Sequence, residues 1–205
     1  MGINMKKIIV FEGLDGAGKS TLLDSFEKTN PEYLKMYSVP DSLAATRKVI
    51  DKTEEPLAAL HFFGLCNIVR SKEIKNLLAE GKRIVMDRYV FSTLAYQYQM
   101  LGEQVMNWFE LMFTPPSLIL PDLVVFVTAR QKVINSRIKL RDAQNAEINK
   151  TEWYGDEISK EKGNSLRKSY KLFLEKSGVT WFEFNTSDYS KEEQIISLNK
   201  KIQDL

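Results

Sequence analysis

Gly13-Leu14-Asp15-Gly16-Ala17-Gly18-Lys19-Ser20 is the stretch on which the fold turns. It matches the pattern G-x-x-x-x-G-K-[ST] in full. It directly follows the apolar run Ile8-Ile9-Val10-Phe11 and directly precedes Thr21-Leu22-Leu23-Asp24-Ser25-Phe26, which suits a helix. The glycines let the backbone curl so that successive N–H groups converge on phosphate oxygens, and a helix opening at Lys19 adds its positive dipole end. Lys19 would reach the β- and γ-phosphates of a nucleoside triphosphate, and the Ser20 hydroxyl would ligate Mg²⁺. Nucleoside triphosphate binding is the first expectation, with Gly13, Asp15, Gly16, Ala17, Gly18, Lys19, Ser20 and Thr21 nearest the polyphosphate.

Outward from this loop, short β-rich runs alternate with longer segments of helical period. Strands are expected at residues 7–11, 33–39, 83–87, 123–128 and 180–184. A long helix is expected over 56–80, with Pro56 at its first position and Gly81 as its stop. Ser190-Lys-Glu-Glu193 reads as a capping box opening the last helix. Runs such as Ile-Ile-Val-Phe and Leu-Val-Val-Phe-Val suit strands covered on both faces. The pattern therefore predicts an α/β domain with a doubly wound, five-stranded, mainly parallel sheet and helices on both sides. Neither an internal repeat nor a Gly/Ser linker marks a second domain, so residues 1–205 are read as one unit.

The chain has 205 residues, 43% apolar and 27% charged, enough to bury a substantial core. Twenty-nine Lys plus Arg against 27 Asp plus Glu leave a formal +2. That is too even for a protein whose main partner is a nucleic-acid backbone or an anionic membrane. The single Cys66 cannot make an internal disulfide, and the single His61 excludes a His-rich metal site, so a reducing, cytoplasmic setting is expected. The most apolar stretch, 118–129, is split by Pro121 and Asp122 and falls short of a bilayer span.

Asp87-Arg88-Tyr89 places an acid and a base where an apolar strand ends, the rim at which open α/β sheets bind ligands. Asp87 would orient Mg²⁺ through its water shell, and Arg88 would neutralise charge on a phosphoryl group in transfer. Residues 142–161 are polar and follow a segment carrying Arg130, Lys132, Arg137, Lys139 and Arg141. This reads either as a lid over a charged ligand or as a solvated helix face followed by a loop.

In order along the chain, the loop from Phe11 to Thr21, Asp87-Arg88-Tyr89, Ser92-Thr-Leu-Ala95-Tyr96-Gln97, Leu120-Pro121-Asp122-Leu123 and Asn185-Thr-Ser187 together resemble the thymidylate kinase family. That resemblance implies the P-loop NTPase fold and phosphorylation of dTMP to dTDP, with ATP as co-substrate and Mg²⁺ as cofactor. It implies small nucleotides as the partners. By the same likeness Asp15 bonds the sugar 3′-hydroxyl of the acceptor and acts as a positioner. Phe63 matches the aromatic that stacks on thymine, although a Phe-Phe pair on an apolar helix face fits core packing equally. Ser92, Tyr96 and Gln97 would line base and sugar. Arg141, or Arg137 beside it, matches the lid arginine that closes over the transferring group. Gly16-Ala17 carries no basic residue, so the lid is expected to supply that charge.

Two departures bear on the acceptor. Where the family has an arginine two positions before Pro, gripping the acceptor phosphate, this chain has Ser38-Val39-Pro40. The second family arginine, one turn beyond the stacking aromatic, is Asn67 here. A hydroxyl or amide cannot supply a bidentate charged fork. Arg47, Arg70 or a lid residue would have to replace the lost contacts, or the acceptor is another pyrimidine nucleotide or a nucleoside. An ATP-binding module without turnover is the rival from another class. The apolar face Trp108-Phe-Glu-Leu-Met-Phe113 fits a helix-packed homodimer and core packing equally.

Overall fold

The computed structural model describes residues 6–113, 118–144 and 160–205. Five parallel strands form one sheet in the order β2-β3-β1-β4-β5: β1 Ile8–Gly13, β2 Tyr33–Tyr37, β3 Arg83–Asp87, β4 Leu123–Thr128 and β5 Trp181–Asn185. Every pairing is parallel, with Val10 beside Met86 on one side and Val124 on the other. The central β1 and its neighbour β4 are buried at every position, because helices cover both faces there. The outer β2 and β5 alternate or are half-buried. The doubly wound sheet expected from the sequence is therefore borne out, and it is parallel throughout.

Eight helices are described: α1 Lys19–Thr29, α2 Ala44–Ile50, α3 Pro56–Ala79, α4 Val90–Leu101, α5 Gln104–Phe113, α6 Gln131–Gln144, α7 Lys160–Ser177 and α8 Lys191–Gln203. The start of α3 is fixed by Pro56 and by the Glu55 carboxylate, which accepts the Leu57 N–H at 3.3 Å. Its end is fixed by Gly81 at φ +77°. The capping box at Ser190 and Glu193 is formed in both directions. Strand β2 stops at Tyr37 rather than Val39: Pro40 has no N–H to donate, and the Val39 carbonyl is taken by Arg70 at 3.0 Å.

The connections place the chain's reversal at β1, whose carboxyl end lies between that of β3 and that of β4. An open parallel sheet has its crevice at such a point. Helix α3 lies against α5 through Gly64, where an added Cβ would come within 2.0 Å of the Trp108 ring. On α5, Trp108 is half-buried, Phe109 joins the core against Phe173, and Leu111 is exposed. Of the expected lid, 142–161, residues 142–144 continue α6 and 160–161 begin α7, while 145–159 lie outside the described residues. Among the described residues no helix is long and apolar enough to cross a membrane.

Candidate active site

Strand β1 gives way to the phosphate loop at Gly13, where only glycine fits: φ is +146°, and a Cβ would lie 2.1 Å from the Val127 carbonyl oxygen on β4. Gly16 and Gly18 also take left-handed backbone, and Gly18 caps α1. The loop is braced from outside. Thr186, in the 3-10 turn Thr186–Asp188 after β5, donates its hydroxyl to the Ala17 carbonyl at 2.7 Å. Arg137 on α6 donates to the Gly16 carbonyl at 3.3 Å and to the Thr186 hydroxyl oxygen at 3.0 Å. A Cβ on Gly18 would meet the Arg137 guanidinium at 2.9 Å, so this arginine lies against the cradle itself.

Lys19, the first residue of α1, is buried, and its ammonium pairs with the Asp87 carboxylate at the end of β3. Burial, with the Arg88 charge beside it, lowers the Lys19 pKa; Asp87 and Asp15 pull the other way. The exposed Ser20 hydroxyl lies 3.5 Å from the second Asp87 oxygen. Lysine, hydroxyl and carboxylate thus meet at the mouth of the loop. Thr21 is exposed on the same helix.

Arg88 stands in left-handed backbone, φ +64°, unusual for a residue with a side chain. Its guanidinium donates to Asp15 Oδ1 at 2.6 Å, to Ser92 Oγ at 3.0 Å and to Tyr170 Oη at 3.1 Å, and lies 5.3 Å from the Tyr96 ring centre. The Tyr96 hydroxyl donates to the other Asp15 oxygen at 3.4 Å. The sequence-derived set Asp15, Arg88, Ser92 and Tyr96 is therefore one cluster built from the phosphate loop after β1, the turn after β3 and helix α4. Burial raises the Tyr170 phenol well above its ordinary pKa, so it serves as a neutral hydrogen-bonding group.

The remaining candidates lie elsewhere. Phe63 is half-buried on α3, edge-on to Phe62, with the Arg47 guanidinium 5.7 Å from its ring centre. Arg47 also donates to Asp51 at 3.3 Å. Asn67 is 1% exposed and donates to Thr93 Oγ1 at 3.1 Å, so its amide locks α3 to α4. Gln97 is buried, and its Oε1 has no hydrogen-bond partner among the described residues. Arg70 is largely buried: its side chain is 11% exposed, it pairs with Glu73 and grips the Val39 carbonyl, and its buried Nε has no partner among the described residues. Its guanidinium thus sits beside Ser38-Val39-Pro40. Arg141 is exposed on the last turn of α6.

Three participants were not singled out from the sequence. Glu12 is fully buried and bonds the turn that carries Arg88; its signal was a carboxylate inside an otherwise apolar strand. Tyr170 on α7 has no local signal, since it reaches Arg88 from 82 positions away. Thr186 stood in a quoted motif without a role.

A family model described as thymidylate kinase matches residues 11–177. A thymidylate kinase of Caldicellulosiruptor saccharolyticus is 30% identical over 173 residues, covering 75% of this chain and 83% of its own. A probable thymidylate kinase of Picrophilus torridus is 28% identical over 142 residues, covering 67% and 69%. Among solved structures, thymidylate kinase from Candida albicans superposes with a TM-score of 0.71 at 20% identity, covering 98% of this chain and 92% of that one. Deoxyadenosine kinase from M. mycoides gives 0.62 at 19% identity, covering 97% and 100%. The two structures share the fold.

Proposed function

The chain belongs to the thymidylate kinase family, and from that premise we propose that it transfers the γ-phosphoryl group of ATP to dTMP, giving ADP and dTDP. The observation that carries the reading is the Arg88–Asp15 pair, 2.6 Å long, held at the mouth of the phosphate loop. It gives the acceptor a cation for its phosphate and a carboxylate for its sugar hydroxyl on the side facing the donor.

In the reading we favour, the loop amides and Lys19 take the β- and γ-phosphates, drawing Lys19 away from Asp87. The freed Asp87 carboxylate and the Ser20 hydroxyl are oxygen donors that suit Mg²⁺, which keeps several waters and needs few protein ligands beside substrate phosphates. Bound there, Mg²⁺ would neutralise charge on the β- and γ-phosphates. Asp15 holds the acceptor's 3′-hydroxyl, Tyr96 supports the sugar, and Arg88 draws the acceptor phosphate in line with the donor. The phosphate monoester is already anionic, so no general base is required and no covalent enzyme intermediate forms. Arg137 and Arg141 supply charge from the α6 side.

Arg70 takes the place of the missing arginine before Pro40. Its guanidinium already lies against the Val39 carbonyl, and its Nε is left to donate. Thymine stacking on Phe63 would share the ring with Arg47, whose guanidinium lies 5.7 Å from its centre, or displace it. Ser38 and the locked Asn67 favour one second reading, an acceptor other than dTMP. The test is purified protein with Mg·ATP and a panel of nucleosides and monophosphates. Faster ADP formation with dTMP than with any other acceptor supports the proposal, and turnover confined to nucleosides or to another nucleotide overturns it. ATP hydrolysis insensitive to every acceptor also overturns it.

A further inference from the structure

Glu12 is a charged side chain in the central strand with no exposed surface, and burying a carboxylate there is costly unless its oxygens are bonded. They are bonded to one place. Glu12 Oε1 accepts the N–H of Tyr89 at 2.9 Å and the N–H of Ser92 at 3.2 Å, and Oε2 accepts the Ser92 hydroxyl. Tyr89 is the N-cap of α4 and caps nothing with its own side chain, so a carboxylate from another strand satisfies amides at this helix start.

The residue just before this cap is Arg88. Its own N–H donates to the Phe11 carbonyl at 2.9 Å, so the peptide on its amino side is held by Phe11 and the peptide on its carboxyl side by Glu12. Left-handed backbone at a residue with a Cβ is strained and persists only where its surroundings impose it. Two consecutive residues of β1 impose it here, and the same strand runs on into the phosphate loop. The register of the arginine relative to the cradle is thereby built into β1. Ser92, which donates to Glu12, also receives the Arg88 guanidinium, so backbone and side chain are fixed by one carboxylate.

We propose that Glu12 is a positioning residue for phosphoryl transfer, holding Arg88 in left-handed backbone so that its guanidinium meets Asp15 and the acceptor phosphate. Glu12 touches no substrate and moves no proton. The inference rests on the kinase reading for its kinetic arm only.

The test is a double-mutant cycle on the full chain, with Glu12→Leu and Arg88→Ala alone and together, and Glu12→Gln as the conservative variant. Glu12→Gln keeps an oxygen for both amides and should hold kcat within about threefold of the parent, whereas Glu12→Leu should lower kcat about 100-fold, the scale of a misplaced catalytic group. The affinity for ATP should stay unchanged. In the Arg88→Ala background Glu12→Leu should cost less than twofold, because what it positions is gone. Equal losses in both backgrounds, or Glu12→Gln as impaired as Glu12→Leu, would overturn the proposal. A crystal structure of Glu12→Gln and of Glu12→Leu gives an arm independent of substrate. Arg88 should keep positive φ in the first and lose it, with its Asp15 contact, in the second. Should Glu12→Leu fail to fold, Glu12→Gln decides the matter: a lost Arg88–Asp15 contact in its structure refutes the proposal. A parent without dTMP kinase activity refutes the function proposed above and leaves this structural arm standing.

Discussion

Replacing Glu12 by Gln should flatten the pH dependence of stability between pH 5 and pH 7. Burial pushes the Glu12 carboxyl from its ordinary 4.5 up to about 7, against the Ser92 hydroxyl, the Arg88 charge and the Tyr89 and Ser92 amides, all of which favour the ionised form. A carboxyl whose pKa is raised on folding binds its proton more tightly in the native state. Its contribution to stability is therefore fully present below pH 4.5 and lost as pH rises through 7. The displacement amounts to about 3 kcal/mol in all, of which about 2 kcal/mol falls between pH 5 and pH 7. For a chain of this length that corresponds to roughly 4–8 °C in Tm. Urea unfolding of the parent and of Glu12→Gln at pH 5, 6 and 7 reads it directly, because every other titrating group is common to both. The parent's advantage over the variant should shrink by about 2 kcal/mol across the range. Parallel curves would refute the reasoning, and a difference that grows with pH would show a carboxylate stabilised rather than penalised by its site.

Arg70→Ala should raise KM for dTMP roughly 10- to 200-fold with KM for ATP unchanged, the range for losing a hydrogen bond to a charged group; an unaltered dTMP KM in steady-state assays would remove Arg70 from the acceptor site. Thr186→Val deletes the 2.7 Å bond to the Ala17 carbonyl and the acceptor for Arg137, and should raise KM for ATP by about tenfold while sparing dTMP. A change in the dTMP KM alone would contradict that. Gly64→Ala drives a methyl into the Trp108 ring and should destabilise by about 1–3 kcal/mol, seen as a lower Tm in calorimetry; an unchanged Tm would mean that α3 and α5 separate freely.

Features of fixed short spacing were the legible ones. The phosphate loop declares itself because glycine torsions, lysine and serine must fall at set offsets, and the sheet follows because buried parallel strands need unbroken apolar runs. Asp87 and Arg88 were legible as a strand-end pair, and Asp15, Ser92 and Tyr96 by resemblance. What joins them was not, since Glu12 lies 77 positions from Tyr89 and Tyr170 lies 82 from Arg88. No local period encodes such pairings. The left-handed turn at Arg88 is likewise invisible in Asp-Arg-Tyr, because tertiary bonds rather than propensity impose it. Arg70 stood in the sequence as one of several candidate replacements for the missing arginines, and only the course of the chain from Ser38 to Pro40 gave it a partner in the Val39 carbonyl. Asn67 counted as an acceptor residue by its place one turn beyond Phe63, while the packing of α3 on α4 commits its amide to Thr93.

The central claim is that the cradle at Gly13 to Ser20 and the Arg88–Asp15 pair together move one phosphoryl group from ATP to dTMP. Its most direct test is a single-turnover reaction of enzyme with γ-labelled ATP, Mg²⁺ and dTMP, run beside Lys19→Ala. Label should pass into dTDP with the parent and stay in ATP with the variant, whose unfolding midpoint shows it still folded. Label in inorganic phosphate alone, or equal transfer by Lys19→Ala, would contradict the account.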